Sequence, residues 1–185
     1  GKKVSDHELD PAWTDYAKLI QYVTFDVTDY LEQGENVIGA AVGNGWYIKR
    51  DEHYTFTFPP FMPPNPNPYQ PYGQELVLAL ELTVNYLDGT RNVWTADEDF
   101  RVIRHPVVMS NVFGSETIDN RLVQQGWCDI DFDDSAWNLA VAVPVTQVPK
   151  GELKNQFQPA VKVIKSYPAK WLHRVNGRDI YDFGQ

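Results

Sequence analysis

Polar and apolar positions alternate with period two along much of the chain. Gln21-Tyr22-Val23-Thr24-Phe25-Asp26-Val27 is one such stretch, rich in β-branched and aromatic residues. Asn36-Val37-Ile38-Gly39-Ala40-Ala41-Val42 is a short apolar run bounded by glycine, which predicts a buried strand. Glu75–Tyr86 predicts a long strand, Leu87-Asp88-Gly89-Thr90 a tight turn, and Arg91–Thr95 the returning strand. Further strands are predicted at Arg101–Ile103, Val107–Val112 and Val161–Ser166. No long stretch places apolar residues at i, i+3, i+4 and i+7, so helices are limited to single turns at Asp26–Leu31 and Asp133–Trp137. The expected fold is all-β, an antiparallel β-sandwich of jelly-roll or galactose-binding-like type.

Pro59–Pro71 interrupts the strands. It holds seven of the 13 prolines, so no regular ladder survives there. It reads as a surface loop, either the wall of a binding groove or a plain insertion between strands.

Composition sharpens the picture. The 185 residues fit one domain with the edge of a second, and aromatics reach 14%. A net charge of -9 argues against nucleic acid or an anionic membrane surface as partner. No apolar run approaches the ~20 residues a membrane-spanning helix needs. Cys128 is the single cysteine, so no internal disulfide forms and a cysteine-based zinc site lacks its ligands.

Catalytic signatures are scarce. His7, His53, His105 and His173 lie outside any nucleophile motif, and no Gly-x-Ser-x-Gly elbow or His-x-x-x-His spacing occurs. Asp129, Asp131, Asp133 and Asp134 resemble only the opening of a calcium loop, without its mid-loop glycine or distal glutamate. The interleaved Trp127, Ile130, Phe132 and Trp137 suit a pinned surface loop instead.

Two loops stand out. Gly43-Asn44-Gly45-Trp46-Tyr47 follows the predicted buried strand. Asn44 offers an amide there, and Trp46 and Tyr47 offer flat faces suited to a sugar ring. The alternative is a strand-exit turn whose tryptophan belongs to the core. The second loop is Gly114–Arg121, after Ser110-Asn111. Glu116 and Asp119 can join Asn44 and Asn111 as oxygen ligands for a hard cation. Alternatively, Arg121 pairs with a carboxylate and holds the loop.

The order of motifs resembles the N-terminal domain of bacterial α-L-rhamnosidases. It is carried by Leu9-Asp10-Pro11-Ala12-Trp13-Thr14-Asp15-Tyr16, Tyr22, Phe25–Asp29, Leu31 with Gly34-Glu35-Asn36, and Gly43–Tyr47. It continues through Gly114–Arg121, Gly126-Trp127, Phe132-Asp133-Asp134-Ser135-x-Trp137 and Gln158–Val163. In the second loop, Ile118 stands where the family usually has tyrosine, and Asn120 where it has alanine.

The resemblance implies a division of labour. The family hydrolyses terminal α-L-rhamnosides with inversion, using two carboxylates on a downstream helical barrel. This chain would then be a non-catalytic module that helps recognise an L-rhamnose-containing glycan, or a structural module that docks the downstream domains. The implied carbohydrate-binding residues are Asn44, Trp46, Tyr47 and Glu116. The implied cation is calcium, at Asn44, Asn111 and Asp119. The resemblance also implies a sandwich over residues 1–166, with its opening strands absent, and a connector plus first strand of the next domain over 167–185. Trp171–Gln185 is accordingly expected to pack on the sandwich or on a neighbouring copy.

Overall fold

A computed structural model describes residues 1–48, 72–73, 75–111 and 115–184, with backbone alone at Asn111 and Ser115. The Pro59–Pro71 stretch lies outside the described residues. Strands come in the order β1 (His7–Leu9), β2 (Leu19–Tyr22), β3 (Glu81–Asn85), β4 (Arg91–Thr95), β5 (Arg101–Val102) and β6 (Val107–Asn111). They continue with β7 (Ser115–Ile118), β8 (Asn138–Leu139), β9 (Glu152–Asn155), β10 (Val161–Lys162), β11 (Lys170–Val175) and β12 (Arg178–Asp182). Among the described residues, helix is confined to two 3-10 turns, Thr28–Tyr30 and Asn120–Leu122. The chain is therefore all-β, and no helix among the described residues is long and apolar enough to cross a membrane.

The strands pair in twos: β1 with β10, β2 with β9, β3 with β4, β5 with β8, β6 with β7 and β11 with β12. All are antiparallel except β2–β9, which runs parallel from Leu19 opposite Glu152 to Tyr22 opposite Asn155. The β3–β4 hairpin closes as its turn residues dictate. Asp88 Oδ1 accepts from Thr90 N at 2.9 Å and from Thr90 Oγ1 at 2.7 Å. Gly89 takes φ +86°, and Tyr86 N donates to Thr90 O at 2.9 Å. In β11–β12 the connection is Asn176-Gly177, with φ +48° and +76°, the left-handed pair that a two-residue hairpin loop requires.

A clasp of glutamines joins the two ends of the domain. Gln21 on β2 is 2% exposed. Its Nε2 donates to Ala12 O at 3.2 Å and its Oε1 accepts from Phe157 N at 3.1 Å. Gln156 answers from the other side, accepting from Ala12 N at 2.7 Å and donating to Gln158 O at 3.2 Å. Apolar burial is partial by contrast: no described apolar side chain is fully buried. Aromatic contacts are the main packing units, such as Phe132 edge-on to Trp137 at 5.6 Å between ring centres.

Several expectations need correcting. Asn36–Val42 joins no ladder among the described residues; Val37 and Ile38 are exposed, and the chain at Gly39 runs close against the Trp127 ring. The long strand at Glu75–Tyr86 shortens to β3: Leu76–Leu80 pair with no strand among the described residues, although Ala96 N donates to Leu80 O at 2.9 Å. Asp133–Trp137 is a turn rather than a helix: Asp133 Oδ1 accepts from Ser135 N at 3.0 Å and Trp137 N donates to Asp134 O at 2.8 Å. Asp26–Leu31 does hold its 3-10 turn, with Asp26 Oδ1 accepting from Thr28 N at 3.0 Å. Of the two alternatives for Trp171–Gln185, packing on the sandwich is not seen among the described residues: the segment pairs with itself as β11–β12, its side chains exposed, which leaves contact with a neighbouring copy as the other expectation.

Candidate functional site

The Gly43–Tyr47 loop turns back on itself. Asn44 O accepts from Tyr47 N at 3.2 Å and from Ile48 N at 3.4 Å, and Gly45 takes φ +49°. Tyr47 O in turn accepts from Tyr72 N at 3.0 Å and Gly73 N at 3.1 Å. This pins the loop and leaves the Asn44 side chain to one side of it.

Asn44 reaches the second loop. Its Nδ2 donates to Ser110 O on β6 at 3.4 Å. Ser110 stands opposite Glu116 in the β6–β7 register, and Ser110 Oγ donates to Glu116 Oε1 at 3.2 Å. Asn44, Ser110 and Glu116 thus form one polar row, with Glu116 exposed. An amide, a hydroxyl and a carboxylate in a row can take and give hydrogen bonds to several hydroxyls at once.

The aromatics of the first loop have partners. Trp46 lies 5.6 Å from Trp13, tilted by 42°, and Tyr47 lies 5.9 Å from Tyr16, edge-on. Tyr16 also meets Tyr72 edge-on at 4.9 Å. Burial holds the Tyr16 phenol above its ordinary range. Tyr72 is also held up, first by burial and then by its bond to the Asp15 carboxylate. Trp46 and Tyr47 are only half-buried, so each keeps part of its ring open, and both follow Asn44 in the same loop. Trp13, Tyr16, Tyr72 and Ser110 were not among the site residues expected from sequence. Trp13 and Tyr16 carry a signal there only as part of the Leu9–Tyr16 motif.

Asp119 is placed differently from the other candidate ligands. Its Oδ1 accepts from Arg121 N at 3.1 Å and from Arg121 Nε at 2.8 Å, and its Oδ2 accepts from Arg121 Nη2 at 2.6 Å. It thereby caps the Asn120–Leu122 turn. The Arg121 guanidinium holds the carboxyl below its usual range. No described bond links Asp119 to Asn44, and the Asn111 side chain lies outside the description. A cation at Asp119 would share the carboxylate with Arg121. Among the described residues, no three His, Cys, Asp or Glu side chains gather as a metal site.

Comparisons with known proteins identify the family of the chain. The model of the alpha-L-rhamnosidase N-terminal domain family matches residues 1–165. An alpha-L-rhamnosidase of Formosa agariphila is 34% identical, aligned over all of this chain and 18% of its own length. One of Streptomyces avermitilis is also 34% identical, over all of this chain and 17% of its length. The crystal structure of the Streptomyces avermitilis alpha-L-rhamnosidase complexed with L-rhamnose superposes with a TM-score of 0.76 and 30% identity, covering all of this chain and 17% of that one. The alpha-L-rhamnosidase of Dictyoglumus thermophilum gives 0.73 and 27%, covering all of this chain and 18% of that one. The chain spans less than a fifth of the length of the relatives it matches. Its strands and those neighbours agree on the all-β sandwich expected from the sequence. Matched from residue 1 to residue 165 and along its full length by these enzymes, the chain belongs to the alpha-L-rhamnosidase N-terminal domain family.

Proposed function

We propose that the chain is a non-catalytic recognition module of an alpha-L-rhamnosidase, holding an L-rhamnose-containing glycan against Asn44, Trp46, Tyr47 and Glu116. The observation that carries this reading is the bond from Asn44 Nδ2 to Ser110 O, which sets the Gly43–Tyr47 loop beside the Ser110–Glu116 pair. A deoxy sugar presents hydroxyls on one side and C–H groups and a methyl on another. The polar row suits the first and the half-open indole and phenol suit the second. The complex of a relative with L-rhamnose supports the choice of sugar. Cleavage itself is assigned to the rest of the parent enzyme.

The polar row and the aromatic rings make this reading without a cation, and calcium at Asn44, Asn111 and Asp119 is the alternative, with Arg121 already bonded to Asp119. Titration calorimetry with L-rhamnose, with and without a chelator, is the test. Binding that survives the chelator is expected. Binding abolished by the chelator would restore calcium at Asn44, Asn111 and Asp119, and absence of heat in both arms would remove the recognition role.

A second reading, docking of the downstream domains, is favoured by the exposed Trp171, Tyr181 and Phe183 on the β11–β12 hairpin and its end. In a full-length enzyme carrying Asn44→Ala, recognition raises KM and leaves kcat alone, whereas docking leaves both unchanged.

A further inference from the structure

A second polar region lies where the first and last strands meet. An open cleft of about 360 Å³ has His7, Thr24, Asn155, Gln156, Gln158 and Lys162 among its lining residues. His7 and Lys162 face each other in the β1–β10 register, and Asn155 ends β9. No residue of the cleft belongs to the Asn44 face.

Its walls are held by backbone bonds. Gln156 N donates to Tyr22 O at 2.8 Å, and both ends of the Gln156 amide are engaged with Ala12 N and Gln158 O. The Gln158 side chain is left otherwise: its Oε1 is buried and has no hydrogen-bond partner. A buried carbonyl oxygen without a donor is unfavourable. The terminal torsion of glutamine is soft, so a hydroxyl in the cleft can draw the amide outward and give it the missing bond.

Charge narrows the ligand. His7 Nδ1 lies 2.7 Å from Asp10 Oδ2, and Lys162 Nζ lies 2.8 Å from Asp6 Oδ1. The Lys162 ammonium already has its carboxylate and the His7 ring is engaged by Asp10, so among the described residues the cleft offers no unpaired ammonium or guanidinium for a phosphate or a uronate. What remains are amides and a threonine hydroxyl, which both donate and accept. The volume lies at the small end for ligand pockets. We propose that this cleft binds a neutral, hydroxyl-rich ligand of monosaccharide size, at a site separate from the Asn44 face.

The test is a nuclear magnetic resonance titration of the isotope-labelled chain with L-rhamnose, glycerol and, separately, inorganic phosphate. Saturable shifts are expected at the Asn155 and Gln158 side-chain amides and at Thr24 N–H with L-rhamnose, weaker ones with glycerol and none with phosphate. Gln158→Met should weaken the affinity at least about tenfold, the scale of one lost hydrogen bond. It should leave the melting temperature unchanged or higher, since it removes an unpaired acceptor. Should Gln158→Met fail to fold, Thr24→Val carries the same affinity comparison. Asn44→Ala should leave these shifts as they are, which separates this site from the other face. The proposal is overturned by an absence of saturable shifts with both polyols, by equal shifts with phosphate, or by unchanged affinity in the variant that folds.

Discussion

Gly151 N donates to Tyr16 O at 3.2 Å, and a methyl group on Gly151 would meet that same oxygen at 2.6 Å. The next atoms it would meet are Leu19 N at 2.7 Å and Lys18 C at 2.9 Å, all of them backbone. The close approach starts the parallel β2–β9 ladder, where Glu152 N donates to Lys18 O at 2.9 Å. Gly151→Ala should therefore part the two strands. The expected loss is about 1–3 kcal/mol, the range for forcing extra volume into a fitted contact. Denaturant unfolding reads it, and a midpoint equal to wild type would show that the backbone yields freely there.

Asn44→Ala should weaken L-rhamnose binding at least about tenfold, or 1.4 kcal/mol. Its bond to Ser110 O is long, at 3.4 Å, so the melting temperature should barely move. Calorimetry beside a thermal melt separates the two effects. Wild-type affinity in the variant would leave Asn44 as a turn residue and nothing more.

Trp137 is half-buried, stacked edge-on with Phe132, and its Nε1 donates to Gln124 Oε1 at 3.0 Å. Full burial of a tryptophan would make its loss cost about 3–5 kcal/mol. Half-burial lowers the expectation for Trp137→Ala to roughly 2 kcal/mol. Trp137→Phe keeps most of the ring contact and gives up the hydrogen bond, for about 1 kcal/mol. Equal losses in the two variants would mean that the Gln124 bond, not the ring, does the stabilising.

Acid should loosen the Asn120–Leu122 turn. The bond to Arg121 holds Asp119 below its usual value of 3.8, so the folded state favours the charged carboxylate. Its contribution is full above the unfolded value and fades as pH falls through the folded one. The pair is exposed, so the effect is small and screened by salt. Asp119→Asn should flatten the acid end of a melting-temperature profile in low salt. Profiles with the same acid slope would remove Asp119 from the account.

Local turn chemistry was the most legible part of the sequence. The bounds of Arg91–Thr95 are readable to the residue, because Asp88-Gly89 fixes where the chain reverses and hence the register of the returning strand. Asn36–Val42 misled, since an apolar run reads as a buried strand wherever it lies. Here the Trp127 ring comes from about ninety residues away to occupy its flank. The glutamine clasp was invisible for the opposite reason: glutamine is ordinarily a surface residue, and nothing near Gln21 announces Phe157. At the candidate site, the residue types of both loops were readable, whereas the Asn44–Ser110 contact joins segments 66 residues apart. The partners of Trp46 and Tyr47 were equally hidden, because aromatic faces suit a sugar and a neighbouring ring alike.

The glutamine clasp also sets a clock. Ala12 N donates to a side chain 144 residues further along the chain. The β3–β4 and β11–β12 hairpins need only their own few residues and can form within microseconds. β2 must wait until Gln156 and Phe157 have left the ribosome, with the Gln21 amide meanwhile in water. Closure over so long a loop is slow. A nascent chain halted before Asn155 would hold the β3–β4 hairpin and an open β2 edge, a form that chaperones bind and proteases cut.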